Sequence, residues 1–144
     1  MSPETRRLQS LFKFWTLLFG AGALIFFLLP QYVVKVLNFG TGTSSFLAPV
    51  PEGDPLFWLP LAVSLMVTLT FMCSQISKDP LKFRMLVLAV LVSKATSSIT
   101  YFFFYIRHGY QAPFLWGTLC DGSIFIITYY FFKKALESEI RHEK

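Results

Sequence analysis

Two ionisable residues stand in the middle of otherwise apolar runs. Lys94 lies within "LVLAVLVSKATSSITYFFFYI" (86–106) and Asp121 within "PFLWGTLCDGSIFIITYYFF" (113–132). An amine and a carboxyl placed this way can neutralise each other, hold the polar head of an amphipathic molecule, or relay a proton. In a helix, positions three, four, seven and eleven beyond Lys94 return to its face, and these are Ser97, Ser98, Tyr101 and Tyr105. The opposite face holds Val92, Ile99 and Phe103, with Thr96 as its one polar member. Asp121 shares a helical face with Gly117, Thr118 and Thr128. An earlier apolar run offers Ser64, Thr68 and Gln75 on one face and Cys73 on the other. The candidate ligand-binding set is therefore Lys94, Asp121, Ser97, Ser98, Tyr101, Thr128, Ser64 and Thr68.

Energetics bring Lys94 and Asp121 together. Either charge alone at mid-bilayer costs about 2.5–3.5 kcal/mol on insertion scales. Counted from the short turn at 107–113, Asp121 lies about 12 Å deep and Lys94 about 18 Å, a gap that a lysine side chain covers. Gly117, one turn before Asp121, leaves room for the two helices to approach closely. The plainer reading is an ion pair that only fixes helix register. The sharper one is an occluded polar pocket. Tyr101 and Tyr105 each add an aromatic wall and a hydroxyl on the outward side, although an interfacial aromatic belt accounts for Tyr105 as well.

Other chemistries lack their residues. Cys73 and Cys120 are the only cysteines, there is no C-x-x-C, and their depths differ by roughly 15 Å, too far for a disulfide. His108 falls in a loop and His142 in a tail, so no span can supply bis-histidine haem. No His/Glu cluster suits a di-metal site, and phosphate-binding glycine loops and G-x-S-x-G are absent. No catalytic residues, metal or cofactor are expected.

These residues need helices in lipid to position them. Hydrophobic residues make up 54% of the 144 and charged residues 15%, with a mean hydropathy of +0.55. A soluble domain carries about 25% charged residues, and here the charges cluster at the ends of long apolar runs. Four runs are long enough to cross a bilayer: about 11–29, 56–75, 85–106 and 114–132. Pro60 falls in the first turn of the second, where its missing N–H does no harm. "FFLLPQYVVK" offers no small-x-small cleavage site, so the first run reads as an uncleaved span rather than a signal peptide.

The net charge of +5 reads as orientation in a membrane. Of 13 basic residues, ten (Arg6, Arg7, Lys13, Lys78, Lys82, Arg84, Lys133, Lys134, Arg141, Lys144) flank the runs on one side, two (Lys35, Arg107) on the other, and the last is Lys94. That asymmetry puts both termini in the cytoplasm. It gives nucleic-acid binding no support. The connection 30–55 then lies outside. Its start, "QYVVKVLNF", can form a short interfacial helix through Tyr32, Val33, Val36, Leu37 and the out-of-register Phe39. The Gly-, Ser- and Pro-rich remainder either folds back over the bundle mouth through Phe46, Leu47, Pro49 and Val50 or forms a free loop.

Four short spans, "LLPQYVVKVL" after the first, "SKATSS" in the third and "DG" in the fourth resemble the layout of DoxX-like small membrane proteins. The resemblance implies a bacterial cytoplasmic-membrane protein, sometimes a partner subunit of quinone-linked oxidoreductases. It carries over no catalytic residue. The expected fold is an all-α, four-transmembrane-helix antiparallel bundle forming one domain over 1–144. The expected function is non-enzymatic: a polar pocket at Lys94 and Asp121 binding an amphipathic, lipid-like or quinone-like molecule or a partner subunit. Two other classes compete. One is a proton-coupled small-solute transporter, which with four spans requires a homodimer. The other is a membrane enzyme subunit acting on quinone or lipid. An aqueous path to the pair favours transport or catalysis, and a sealed, fully paired site favours structure.

Overall fold

The computed structural model describes residues 2–38, 58–107 and 110–142, and everything regular in them is helical. In chain order the helices are α1 (Pro3–Leu28), α2 (Pro30–Leu37), α3 (Leu59–Ile76), α4 (Arg84–Arg107) and α5 (Ala112–His142). All but α2 are long and apolar enough to cross a membrane.

Local chemistry sets the ends. Ser2 caps α1, its hydroxyl accepting the Thr5 backbone N–H at 3.1 Å, with Pro3 in the first turn and Glu4 near the positive end of the helix dipole. Pro60 sits in the first turn of α3, as its sequence position requires. In the link before α4, the Asp79 carboxylate accepts the Lys82 N–H at 3.1 Å. Between α4 and α5, Tyr110 adopts a φ of 61°, a backbone region that costs most non-glycine residues. Its N–H bonds the Tyr105 carbonyl at 3.0 Å and its ring meets that of Tyr105 edge-on at 5.3 Å.

Two helices run past the expected apolar spans. α1 begins at Pro3 rather than near residue 11, and α5 continues to His142 rather than ending near 132. Hydropathy stops where charges begin, but helix propensity does not. "KKALESEIRH" is rich in helix formers, carries a Lys133–Glu137 pair at 3.9 Å, and offers Ala135 and Leu136 to the core. Hydroxyls join the two extensions, Ser2 Oγ lying 2.8 Å from Ser138 Oγ.

The four long helices pack as two tight pairs, α1 with α3 and α4 with α5, and contacts of α1 with α5 and α3 with α4 close the ring. Contacts that climb one helix descend its partner. Lys94, Ser98 and Tyr101 of α4 meet Asp121, Thr118 and Gly117 of α5. Gln9, Gly20 and Gly22 of α1 meet the Lys78 carbonyl just past α3, then Thr70 and Met66 of α3. The core is a stripe on α1 (Leu8, Phe12, Trp15, Phe19) set against Cys73, Ile76, Val87, Val90, Leu91, Ile124, Phe132 and Ala135. The outer faces are also apolar: Leu17 is 73% exposed and Ile99 69%, with Phe27, Leu61, Phe71 and Ile126 similarly bare. Water-soluble bundles put polar residues at such positions.

The short helix expected after the first run is present as α2. Val33 is buried while Tyr32 and Val36 are exposed, and the Lys35 ammonium lies 5.5 Å from the Tyr32 ring. Phe39 and the proposed cap residues Phe46, Leu47, Pro49 and Val50 lie outside the described residues, as does His108.

Candidate functional site

Lys94 and Asp121 are an ion pair. Lys94 Nζ lies 2.8 Å from Asp121 Oδ1, an ordinary length for a charge-assisted hydrogen bond. Ser97 donates its hydroxyl to Asp121 Oδ2, so both carboxylate oxygens have a partner. Lys94 as a residue is only 8% exposed. Its ammonium also faces the Phe19 ring of α1, 4.8 Å from the centroid, where cation–π attraction adds to the pairing. Cys73 of α3, fully buried, lies within electrostatic reach of the same ammonium. Three of the long helices, α1, α4 and α5, thus bring a side chain to the ion pair.

Glycine permits the short distances. A Cβ on Gly117 would sit 2.7 Å from the Tyr101 ring, and one on Gly122 would sit 3.0 Å from Ser98 Oγ. Without side chains there, α5 comes near enough for Ser98 to donate to the Thr118 carbonyl at 3.0 Å, one turn nearer the α4–α5 connection than the ion pair. The dipeptide "DG" therefore combines two roles: Asp121 supplies the charge and Gly122 the clearance for Ser98.

The other candidates divide. Ser97, Ser98 and Tyr101 join the α4–α5 centre, with Tyr101 stacked over Gly117 and 6.4 Å from the Phe114 ring. Thr128 is fully buried two turns further along α5 and faces α1, accepting the Trp15 indole N–H at 3.1 Å. Ser64 and Thr68 lie on an exposed face of α3, where each hydroxyl donates to its own helix, to the Leu61 carbonyl at 2.9 Å and the Ser64 carbonyl at 2.8 Å. It is the Cys73 face of α3 that turns inward. The structure also adds Phe19 and Trp15, which were absent from the candidate set. Their signal was available: Leu8, Phe12, Trp15 and Phe19 recur at spacings of four, three and four, the rhythm of a packed helix seam.

Geometry limits the chemistry. Among the described residues no group of His, Cys, Asp or Glu could hold a metal ion, and both cysteines are free. The side chains of Lys94 and Asp121 keep 10% and 16% exposure, so the carboxylate side of the pair is the more open one. Among the described residues, fold and site together define a small helical protein with four helices fit to span a bilayer and a buried lysine–aspartate pair between two of them. No family model matches the chain, and no curated protein or solved structure matches it either.

Proposed function

We propose that the chain is a non-enzymatic, multi-pass membrane protein, an antiparallel bundle of four spans with both termini in the cytoplasm. Its Lys94–Asp121 centre locks α4 to α5 and presents Asp121 to an amphipathic small molecule or a partner membrane subunit. The ten-to-two distribution of basic residues supports the orientation. The opposed climb of contacts within each helix pair and the apolar outer faces support the spans. The observation that carries the reading is the engagement of the pair: each Asp121 oxygen has a partner and Lys94 is enclosed, while Asp121 keeps slightly more exposure, at 16% against 10% of the side chain. A general acid or base, or a proton carrier, needs at least one of these groups free to exchange its proton with substrate or water. A locked pair instead offers a fixed polar point in an apolar surface, which suits recognition. The DoxX-like layout agrees with such a role and rests on the sequence features alone.

Lys94→Met with Asp121→Leu tests this reading. Replacing a buried ion pair by apolar residues of similar volume is often neutral or stabilising by about 1–4 kcal/mol. The double variant is therefore expected to fold at least as stably as the parent, and to lose the small molecule or subunit that co-purifies with the parent in mild detergent. Mass spectra of the two preparations decide. Retention of the same companion by both would mean that the pair serves structure only.

A further inference from the structure

A second site lies well away from the ion pair. An open groove of about 610 Å³ runs between α1 and α5, lined by Arg6, Arg7, Ser10, Leu11, Phe14 and Phe131. Along α1, Arg7 precedes Phe19, the residue that faces Lys94, by twelve positions, or about 18 Å. The lining is graded along the axis, with guanidinium groups and a hydroxyl at one end and a leucine with two phenyl rings at the other.

The polar end is free to bind. The Arg6 guanidinium has no ion pair or hydrogen bond among the described residues. Arg7 is 64% exposed in its side chain and spends one nitrogen on Glu4, at 3.4 Å, which steadies the guanidinium and leaves the rest of its fork open. Lys134 of α5 is near enough to feel the charge of Arg7. Even with Glu4 counted, the mouth is cationic. At the apolar end Phe14 is more than half exposed, while Leu11 and Phe131 are partly buried against the core.

Depth identifies the occupant. The apolar run of α1 begins at Leu11, and Arg7 lies four residues before it, or about 6 Å. The interfacial layer between hydrocarbon and water is about 5–8 Å thick on each side of a bilayer. If the chain spans the membrane as proposed above, on which this step rests, Arg6 and Arg7 lie at the level of the lipid phosphates and Leu11, Phe14 and Phe131 at the first methylenes. We infer that the groove holds one anionic phospholipid. Its phosphodiester lies between Arg6, Arg7 and Ser10, and one acyl chain runs along Leu11, Phe14 and Phe131. A zwitterionic lipid presents the same phosphate with an added cation, which Arg6 and Arg7 repel.

Native mass spectrometry of the full chain in mild detergent, with equal phosphatidylglycerol and phosphatidylcholine added, tests the inference. The parent is expected to favour phosphatidylglycerol about tenfold. Arg6→Gln with Arg7→Gln should weaken that lipid by about tenfold or more, since a basic residue near anionic lipid is worth about 1 kcal/mol, close to fivefold each. Phosphatidylcholine binding should not change. Lys82→Gln with Arg84→Gln removes two exposed charges from the α3–α4 end of the bundle and should leave the preference intact. Equal binding of the two lipids by the parent would overturn the site. So would an equal loss in the Lys82/Arg84 variant, which would mark a diffuse surface-charge effect. Displacement by millimolar inorganic phosphate would show a free-anion site and no lipid. Failure of the membrane reading has a different signature: the parent would remain soluble without detergent and would not enter phosphatidylcholine vesicles.

Discussion

The two tight helix pairs solve the same packing problem in different ways. Between α4 and α5 the contact is polar and unforgiving, with the Lys94–Asp121 pair, the Ser97 and Ser98 bonds, and Gly117 pressed under Tyr101. Between α1 and α3 the glycines face softer neighbours. A Cβ on Gly20 would meet Thr70 Cγ2 at an ordinary 3.5 Å, and one on Gly22 would meet the flexible Met66 sulfur at 3.2 Å. Lipid tails are as apolar as leucine, so the hydrophobic effect does not by itself press helices together in a bilayer. The α1–α3 pair relies on van der Waals fit, which has many near-equivalent solutions. The α4–α5 pair adds charge and directional hydrogen bonds, which have one. Register should therefore be specified at α4–α5 and tolerated at α1–α3.

Removing half of the ion pair should break this contrast most severely. Lys94→Ala or Asp121→Ala leaves a buried charge without its partner and is expected to cost about 3–5 kcal/mol. Thermal unfolding in detergent, followed by circular dichroism, measures the loss. Unchanged melting in both variants would remove the distinction between the two helix pairs.

Steric strain at the same interface should come next. Gly117→Ala puts a methyl 2.7 Å from the Tyr101 ring, and overpacking of this kind costs about 1–3 kcal/mol. Tyr101→Ala in the same chain should return most of that loss, because the ring is what the methyl meets. A melting temperature that stays low in the double variant would place the strain elsewhere.

The smallest effect sharpens the comparison from the other side. Gly20→Ala faces only ordinary contact, and alanine is favoured over glycine in a helix by about 0.8–1 kcal/mol. The substitution is expected to be neutral or stabilising by up to that amount, and Gly22→Ala to fall slightly below it as Met66 shifts. A loss in Gly20→Ala as large as that in Gly117→Ala would show the α1–α3 contact to be equally exacting.

How much of this was legible beforehand depends on the range of the physics involved. Four apolar runs, Pro60 in a first turn, the short helix after Pro30 and the polar stripe from Lys94 through Ser97 and Ser98 follow from periodicity and local propensity, which act over a few residues. Pairing of Lys94 with Asp121 was also readable, because a short turn forces neighbouring helices together and an isolated charge in lipid is costly. Hydropathy misjudged the start of α1 and the end of α5, where clustered charges conceal a helix that Ala135, Leu136 and Ser138 hold against the start of α1.

Which face of a helix turns inward is a different matter. Ser64 and Thr68 carry the same hydroxyls as Ser97 and Ser98, and spacing alone gives both sets a helical stripe. A hydroxyl in lipid is satisfied equally well by its own helix or by a neighbour, so residue type does not determine orientation. The rotation of α3 instead follows from fitting Met66, Thr70 and Cys73 against the α1 seam, a sum over many contacts distant in sequence. The chain by itself thus determined that it is helical, how its apolar runs are laid out and that one costly charge pair would seek itself. Only the tertiary structure decided that Phe19 completes that centre, that Cys73 faces the core, that Thr128 serves Trp15, and that Ser64 and Thr68 look outward.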